Sequence, residues 1–520
     1  MASRLLGMVR DILMADVIGG KTLMSAWVLA FTIPNVFRRL LGEGALGAAL
    51  VPLMSRDLID GREGKELARR RFATLFASLG ALLAVISMAI AGISLALAPF
   101  VKLERFKLIL EILPIVAPYA LFACLSGVAG AALNSLRKFT LPALTASLLN
   151  VFLIAALLLA GKLGFEGVSA LRLLAFAALG AGGAQLLAML LLLRSAGTPL
   201  VAGNGVAKTL ALLAKDMKTG LGKEVWRLAV PGMIGAGALQ ISFLIDRGLA
   251  IALGDYAAAA LYYSDRIVFL SVGILAVGMG GVILPDISRS AGSDNPKKAA
   301  ETIIFALRQI LFLCVPAAFF TFFFGHGVVD LLFTRGAFDG DALDEVVWAL
   351  SFYAWGIPLF STSKILVAGF YAHKEMRKPV KIAALCVGVN IILNLILMWP
   401  LKQGGIALAT VASSLLGNLL LALFLRKLLP EIKFSKIAIP AFRAATAAAI
   451  ATAAAYYASP HLKTIADKLT ANLPVHGAET IPAAFIFAVA YFSATTIMAA
   501  KEPKEWLAIF HGGKNTPGKI

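Results

Sequence analysis

The chain has 520 residues, of which 60% are hydrophobic and only 15% are charged, and its mean hydropathy is +0.86. A soluble protein of this length could not bury so much apolar surface, so the composition excludes a soluble globular protein. The net charge of +19 at pH 7 would fit a nucleic-acid-binding protein. The basic residues, however, concentrate in alternate loops between apolar runs. This is the positive-inside pattern, so we expect no nucleic-acid partner.

Apolar runs recur along the whole chain, and most approach the roughly 20 residues that cross a bilayer as a helix. We therefore predict an all-α polytopic membrane protein with about fourteen transmembrane helices. The basic loops place both termini in the cytoplasm. The predicted spans are residues 2–19, 23–53, 72–100, 108–133, 140–161, 169–193, 228–252, 257–284, 302–325, 343–371, 380–400, 405–425, 437–458 and 479–499.

Two sequence patterns recur in the same order about 235 residues apart. A Pro-x-x-Ser-Arg sequence ends at Arg56 and again at Arg289, and a basic pair precedes an in-span asparagine at Asn150 and again at Asn390. Such patterns indicate two parallel six-helix lobes, as in transporters; chance similarity between apolar helices is the alternative. The predicted order is an N-lobe at 1–193, a cytoplasmic linker at 194–227, a C-lobe at 228–425, and two more helices with a tail at 426–520.

The predicted linker alternates lysines with leucine and methionine between Lys208 and Lys223. This spacing predicts an amphipathic helix on the cytoplasmic membrane surface. We interpret it as a connector between the lobes, and a regulatory surface is the alternative.

Arg4, Arg10 and Asp11 are charged residues within the first apolar span. A charge at the centre of a bilayer costs at least about 2.5 kcal/mol, so it usually faces protein or a water-filled cavity. Helical periodicity places Arg4, Gly7 and Asp11 on one face, and Arg10 points elsewhere. The planar fork of arginine suits phosphate and carboxylate groups. The span therefore predicts part of a cationic internal cavity for an anionic substrate.

The second span places Arg38 and Arg39 directly after a helix-breaking proline, Pro34. Arg39 and Glu43 are four residues apart, so a helix-stabilising pair near the interface is the alternative to a binding role for Arg39. Arginines outnumber acids in these two spans, and we expect some of them to await an anion from outside the protein. The predicted substrate-binding arginines here are Arg4, Arg10 and Arg38, with Asp11, Arg39 and Glu43 as supporting polar residues.

Two adjacent acid–arginine pairs lie in the middle of the chain, Asp246 with Arg247 and Asp265 with Arg266. Neighbouring residues lie on different helix faces, so each pair can point in two directions. Cross-helix pairing, such as Arg247 with Asp265, is the alternative to a binding function. Arg266 is the predicted anion-binding residue of the second lobe, and Asp265 is its predicted supporting residue.

Asp246, Asn390, Asn394 and Thr410 together offer only oxygen ligands, which suit a hard cation. We predict a sodium site from them, and hydrogen bonding between helices is the alternative. The cysteines and histidines are dispersed, and the glycine-rich stretch Gly278-Met279-Gly280-Gly281 is not followed by Lys-Ser/Thr. We therefore expect no enzyme activity and no cofactor other than sodium, with energy taken from a gradient, the membrane potential or a downstream process.

The charged segments resemble sequence motifs of one family, the MurJ (MviN) lipid II flippases. The resemblance runs nearly end to end, and the two N-terminal motifs together are specific. The motifs are Ser3-Arg4-x-x-Gly7-x-x-Arg10-Asp11, Pro34-Asn35-x-x-Arg38-Arg39-x-x-x-Glu43-Gly44-Ala45, Tyr262-Tyr263-Ser264-Asp265-Arg266, Phe333-Thr334-Arg335-Gly336-Ala337-Phe338-Asp339, Gly369-Phe370-Tyr371-Ala372 and Lys378-Pro379-Val380-Lys381.

The resemblance implies a transporter of the bacterial cytoplasmic membrane that flips lipid II, the undecaprenyl-diphosphate-linked precursor of peptidoglycan, to the outer leaflet. It implies alternating access, with Arg4, Arg10, Arg38 and Arg266 on the diphosphate. It also implies a groove in the last two helices for the polyprenyl tail, contacts with membrane lipids, and the cell-wall synthesis machinery as a partner.

The chain departs from the family pattern at two positions. The family usually has an acid before the aromatic residue of an Asp-Ala-Phe sequence, where this chain has Ser25 and Trp27, and often a proline after the Asp-Arg motif, where this chain has 269–271, Phe-Leu-Ser. A gate built on an acid at position 25 is therefore not expected. Family members also carry more residues before the first motif, so we expect the natural chain to begin before Met1.

Other functions fit the residues less well. A related exporter of drugs or of another polyprenyl-linked oligosaccharide would usually have twelve spans and lack the paired arginine motifs. A membrane glycosyltransferase or lipid phosphatase needs paired carboxylates or a nucleophile at the headgroup, and the loops contain few such residues. A scaffold for cell-wall enzymes would not need intramembrane arginines.

Overall fold

The computed structural model describes residues 2–42, 45–145, 147–196, 221–291, 296–469 and 476–505. These residues form helices and short turns, with no β-strand among them, which confirms the all-α prediction. Contacts divide the chain into two compact units, Met1–Ala258 and Ala259–Ile520. Most of the predicted amphipathic linker helix lies outside the described residues.

The first unit consists of helices that follow one another with short turns. They are α1 (Ala2–Ile18), α2 (Thr22–Phe37), a π-helical turn (Arg38–Gly42), α3 (Ala45–Asp57), α4 (Gly61–Leu97), α5 (Glu104–Val116), α6 (Tyr119–Ser135), α7 (Thr140–Thr145), α8 (Leu148–Leu163), α9 (Gly167–Ser195) and α10 (Leu221–Leu253).

The second unit is built in the same way. Its helices are α11 (Ala257–Ala291), which begins at the boundary, α12 (Pro296–Phe323), α13 (Gly325–Phe333), α14 (Gly340–Tyr353), α15 (Gly356–Ala372), α16 (Arg377–Leu428), α17 (Ser435–Leu469) and α18 (Thr480–Ile497).

Eight helices of the described residues are long and apolar enough to cross a membrane, or nine if the pair α5 and α6, bent by 41°, is one span. The polytopic fold is therefore confirmed, but the count of about fourteen spans is not. Several predicted spans are divided by breaks, as in α2, the π-helical turn and α3. The spans predicted at 380–400 and 405–425 lie together in α16, which is interrupted at Lys402 (φ 50°, ψ −132°).

The core of the first unit forms where α3, α4 and α6 meet, around fully buried side chains such as Leu50, Phe72 and Leu79. Helix α10 packs on α2, α3 and α4. Arg71 of α4 reinforces this packing, because its guanidinium pairs with both Asp57 of α3 and Glu224 of α10. The sequence pattern predicts α10 as the start of the C-lobe, whereas its contacts here are with helices of the first unit; the lobe boundaries stay a prediction.

The last two helices of the second unit pack on α12 through small side chains. The buried alanines at Ala447, Ala451 and Ala455 of α17 lie in one cluster with Phe312 of α12 and Phe487 of α18. Small residues let helices approach closely where no hydrophobic effect drives them together. The hydroxyl of Tyr491 donates to the carbonyl of Phe312 at 2.6 Å and so joins α18 to α12.

A charged cluster fastens the segment after α18 to the same helix, α12. Arg308 Nε donates to Glu502 Oε1 at 2.8 Å, and Gln309 Nε2 donates to Glu505 Oε2 at 2.7 Å. Glu502 is only 4% exposed, so this carboxylate depends on Arg308 for its charge balance. The end of the described chain is thereby held against α12.

Replacing Ala451 by leucine tests the alanine packing of α17. Ala451 is fully buried, so Ala451→Leu must push α17 away from α12 at a cost of about 1–3 kcal/mol. We expect a lower midpoint of thermal unfolding for the purified protein. Ala453→Leu is the control, since residue 453 is exposed on the same helix. Equal midpoints of thermal unfolding for the two variants would contradict the close packing of α17 on α12 at Ala451.

Candidate functional site

Arg10 of α1 is buried in a hydrogen-bonded cluster with Asp11 and with Asn150 of α8. Its Nε and Nη2 donate to Asp11 Oδ1 at 3.0 and 2.7 Å, and its Nη1 donates to Asn150 Oδ1 at 2.9 Å. Arg10 is 8% exposed and Asp11 1%. The expectation that Arg10 points away from Asp11 is therefore wrong. The Cα–Cβ bonds of neighbouring residues point in different directions on a helix, but the arginine side chain is long enough to bend back to the carboxylate of the next residue.

Asn150 connects two points on the first turns of α1. Its Nδ2 donates to the carbonyl of Ser3 at 3.2 Å while its Oδ1 accepts from Arg10. Only this orientation of the amide satisfies both partners. Gly7 lies between them on the same face, and a Cβ there would sit 4.0 Å from Asn150 Nδ2. The sequence showed Asn150 only as part of a repeat; a lone asparagine within an apolar span is the signal that could have identified it.

The other N-terminal arginines lie in less buried surroundings. Arg4 is exposed near the start of α1, and Arg38 is half-buried, with its Nε donating to Asn35 Oδ1 at 2.8 Å. Arg39 is exposed, donates from Nη1 to Gln240 Oε1 at 3.4 Å, and has its guanidinium 6.0 Å from the Phe243 ring.

Glu43, the predicted partner of Arg39, lies outside the described residues. Two contacts of Arg39, the hydrogen bond to Gln240 and the approach to the Phe243 ring, are with α10, a helix about 200 residues further along the chain, and the pairing with Glu43 stays a prediction. Sequence spacing could not reveal the two contacts with α10. The structure thus ties Arg39 to α10 within the first unit.

The position where the family usually has an acid is occupied by Ser25, which is fully buried. Its hydroxyl donates to the carbonyl of Asp255 at 2.6 Å, in the turn after α10. The Asp255 carboxylate pairs with Arg105 at 3.3 Å. The serine therefore joins α2 to this turn by a neutral hydrogen bond.

The Tyr-Tyr-Ser-Asp-Arg motif of α11 combines packing residues with a candidate binding residue. Tyr263 is fully buried, with its ring centroid 4.7 Å from that of Phe333 and 5.5 Å from that of Phe338. Two of the family-like motifs are therefore neighbours in space. Arg266 is half-buried, and its guanidinium lies 4.5 Å from the centroid of the Tyr262 ring.

The polar neighbours of Tyr263 explain how the motif is held in place. Ser264 is fully buried, and its hydroxyl is 2.9 Å from the carbonyl of Val346 in α14. Asp265 is 9% exposed. Because Ser264 and Tyr263 anchor α11 inside the second unit, the direction of Arg266 is set by packing rather than by the arginine itself.

Three of the four predicted sodium ligands come together in the second unit. Asn390 Nδ2 donates to Thr410 Oγ1 at 3.3 Å, and Asn394 Nδ2 donates to Asn390 Oδ1 at 3.2 Å. Asp246, the fourth, is buried on α10 in the first unit. These hydrogen bonds are those that the alternative interpretation expects. Among the described residues no three His, Cys, Asp or Glu side chains are grouped as metal ligands. Sodium binding stays a prediction.

The family model described as "Lipid II flippase MurJ" matches residues 14–468. The chain belongs to the MurJ lipid II flippase family. The prediction of the family is thereby confirmed, and with it a multi-pass transporter of the bacterial inner membrane rather than an enzyme. The match begins after Arg4 and Arg10.

Individual MurJ relatives are similar over most of their length. "Probable lipid II flippase MurJ" of Rhizobium tropici is 32% identical over 425 residues, covering 80% of this chain and 77% of that protein. "Lipid II flippase MurJ" of Burkholderia cenocepacia is 31% identical, covering 82% of this chain and 81% of that protein.

Solved structures show the same fold. A lipid II flippase MurJ in an inward closed conformation matches with a TM-score of 0.76 at 21% identity, covering 96% of this chain and 97% of that one. An inward-facing multidrug resistance MATE family transporter of the MOP superfamily matches with a TM-score of 0.68 at 17% identity, covering 83% and 95%. The fold of this chain is thus similar to that of both proteins.

Replacing Asn150 by leucine tests the Arg10 cluster. Asn150→Leu removes an acceptor from a buried guanidinium, and a hydrogen bond to a charged group contributes about 1.5–3 kcal/mol. We expect a lower unfolding midpoint of the purified protein. Val151→Leu is the matched control, since Val151 is the next residue of α8 and is 47% exposed. The cluster would be unsupported if both variants unfolded at the midpoint of the unmodified protein.

Proposed function

We propose that this chain flips lipid II from the cytoplasmic to the outer leaflet of the bacterial inner membrane. Membership of the MurJ family over residues 14–468 is the observation that carries the proposal. The arginines within apolar helices support it, because a diphosphate between two bulky groups needs strong, directional cationic donors. The proposed cycle is alternating access, in which the headgroup site opens to one side of the membrane at a time.

The proposed headgroup ligands are Arg4, Arg10, Arg38 and Arg266. A guanidinium can bind phosphate oxygens through two parallel N–H groups, which fixes the geometry as well as the charge. Arg10 would act from a fixed position, because three of its N–H groups already contact Asp11 and Asn150. Asp11, Arg39 and Asp265 are proposed as supporting residues, and so is Glu43.

The last two helices offer a place for the polyprenyl tail. A cavity of about 520 Å³ lies along the first turns of α17 and is lined by Ile439, Phe442 and, from the end of α18, Met498 among others. Arg443 lies at the same cavity, and its lining is mainly apolar. An apolar chain would bury exposed side chains there, such as Phe442, which is 74% exposed. We propose that this groove binds the tail.

Coupling to sodium is the remaining part of the proposal. Asn390, Asn394 and Thr410 would supply amide and hydroxyl oxygens, and Asp246 would supply the negative charge. Both termini are proposed to be cytoplasmic, on the basic residues of the loops. Contacts with the cell-wall synthesis machinery would place the flippase where its product is used.

Arginine replacements test the headgroup site. Arg38→Ala or Arg266→Ala should abolish rescue of growth in cells depleted of their own lipid II flippase, while the protein remains in the membrane. Lysine at either position should restore rescue only in part, because an ammonium lacks the bidentate fork. Arg426→Ala, at an exposed helix end, is the control. Full rescue by both alanine variants would refute the proposed arginine ligands, and drug efflux without lipid II transport would favour the multidrug alternative.

Sodium binding has a separate test that does not depend on transport. If Asn394 is a ligand, sodium should raise the unfolding midpoint of the purified protein relative to an equal concentration of choline, because a ligand that binds only the folded state stabilises it. Asn394→Leu should remove that difference. The same increase in the variant, or no increase in the unmodified protein, would count against the site.

A further inference from the structure

The second span contains a π-helical turn at Arg38–Gly42, directly after α2 and before α3. A π-helical turn bonds i to i+5 and so contains one more residue than an α-helical turn; such turns are rare and frequently lie at functional sites. This one carries both arginines of the span. The extra residue rotates α2 relative to α3 by about 100°, one residue's share of a 3.6-residue turn.

The turn lies against α6 by direct contact of the two backbones. A Cβ on Gly127 would be 2.5 Å from the carbonyl carbon of Gly42 and 2.6 Å from its Cα, and closer still to its carbonyl oxygen. Real Cβ atoms essentially never approach another atom below 3.0 Å. No rotation of a flexible side chain could relieve this clash, because every atom concerned belongs to the backbone.

Gly42 faces Gly127 across this contact, and a Cβ atom at Gly42 would meet its neighbours at longer distances than one at Gly127. A Cβ on Gly42 would be 3.3 Å from the carbonyl oxygen of Ala123 and from the Cα of Cys124. Ala123 and Gly127 are four residues apart, so they share one face of α6. The π-helical turn therefore fits into a shallow depression of α6 that only small residues can form.

We propose that Gly127 is a positioning residue for the arginines of the second span. By admitting the backbone of Gly42, it keeps the Arg38–Gly42 turn π-helical and so sets the directions of Arg38 and Arg39. The inference rests on the proposed function, in which Arg38 binds the lipid diphosphate.

The hydrogen bonds of Arg38 and Arg39 depend on the directions that the π-helical turn gives to the two side chains. Arg38 Nε donates to Asn35 Oδ1 at 2.8 Å, and Arg39 Nη1 donates to Gln240 Oε1 at 3.4 Å. If the turn became α-helical, the two arginines would rotate relative to α3 while α6 and α10 stayed in place. Arg39 would then lose its hydrogen bond to Gln240, and the guanidinium N–H groups of Arg38 would point in a different direction.

The same helix provides a matched control for a glycine-to-alanine change. A Cβ on Gly130 would be 3.7 Å from Met189 Cε and 3.8 Å from Pro142 Cβ, which are ordinary van der Waals contacts. Gly130→Ala and Gly127→Ala thus add the same atom to the same helix, three residues apart. Only the second should disturb the π-helical turn.

The direction of residue 39 can be measured in membranes. In a background with the three cysteines Cys124, Cys314 and Cys386 changed to alanine, Arg39→Cys with Gln240→Cys should be joined by a short bifunctional thiol reagent. Gly127→Ala should lower the ratio of crosslinked to uncrosslinked membrane-inserted protein about tenfold, the effect of about 1.4 kcal/mol on an equilibrium between two turn conformations. Gly130→Ala should leave it unchanged.

Lipid II flipping in reconstituted vesicles, with the native arginines present, is the functional measurement. Gly127→Ala should slow it by about 10- to 100-fold, since misplacing a binding group by about 1 Å can cost a hundredfold in rate. If Gly127→Ala protein does not accumulate, Gly42→Ala replaces it, with a smaller decrease expected in both measurements. Crosslinking and flipping at the levels of Gly130→Ala would overturn the proposal.

Arg38→Ala in the same vesicles separates this inference from the proposed function. If Arg38→Ala flips lipid II normally, Arg38 is not a headgroup ligand and the positioning of Arg38 by Gly127 has no functional meaning, whatever the crosslink shows. If Arg38→Ala abolishes flipping but Gly127→Ala changes neither measurement, the proposed function stands and the positioning inference fails.

Discussion

Arginines in apolar helices impose a constraint that the rest of the structure has to meet, because a bilayer supplies no partner for their charge. Arg10 meets it with Asp11 and Asn150, and Arg308 meets it with Glu502. Asp11 of the same helix neutralises Arg10, and Asn150 of α8 adds a hydrogen bond, whereas Glu502 of the segment after α18 neutralises Arg308. In both cases a polar contact of the arginine also fixes how a second helix or segment packs. The charged groups that are least compatible with a membrane thereby help to hold each unit together.

The candidate headgroup arginines have different surroundings. Arg38 is half-buried and donates to the neutral amide of Asn35, and Arg266 lies over the Tyr262 ring. Of the four candidate ligands Arg10 is the most buried, and its three hydrogen bonds to Asp11 and Asn150 fix its guanidinium in position before a headgroup binds.

Breaks in the helices are the second recurring feature of the fold. The π-helical turn at Arg38–Gly42 and the interruption at Lys402 both divide long apolar runs. Each break frees backbone groups that have to be satisfied within the protein. Near Lys402 the carbonyl of Leu401 accepts from Trp348 Nε1 at 2.9 Å. At the π-helical turn the backbone packs on Gly127. Breaks of this kind are maintained by neighbouring helices and so depend on tertiary contacts.

The amino-acid sequence by itself determined the all-α membrane class, the MurJ family and the presence of arginines within the spans. Each of these depends on composition or on spacing within one segment. The sequence could not place Asn150 beside Arg10 across 140 residues, join Arg39 to Gln240, or show that Tyr263 packs between Phe333 and Phe338. Nor could it locate the π-helical turn, because the pattern of apolar residues in the second span predicts a continuous helix. Only the tertiary structure decided these contacts, since the reach of a long side chain and the approach of two backbones depend on the helix opposite.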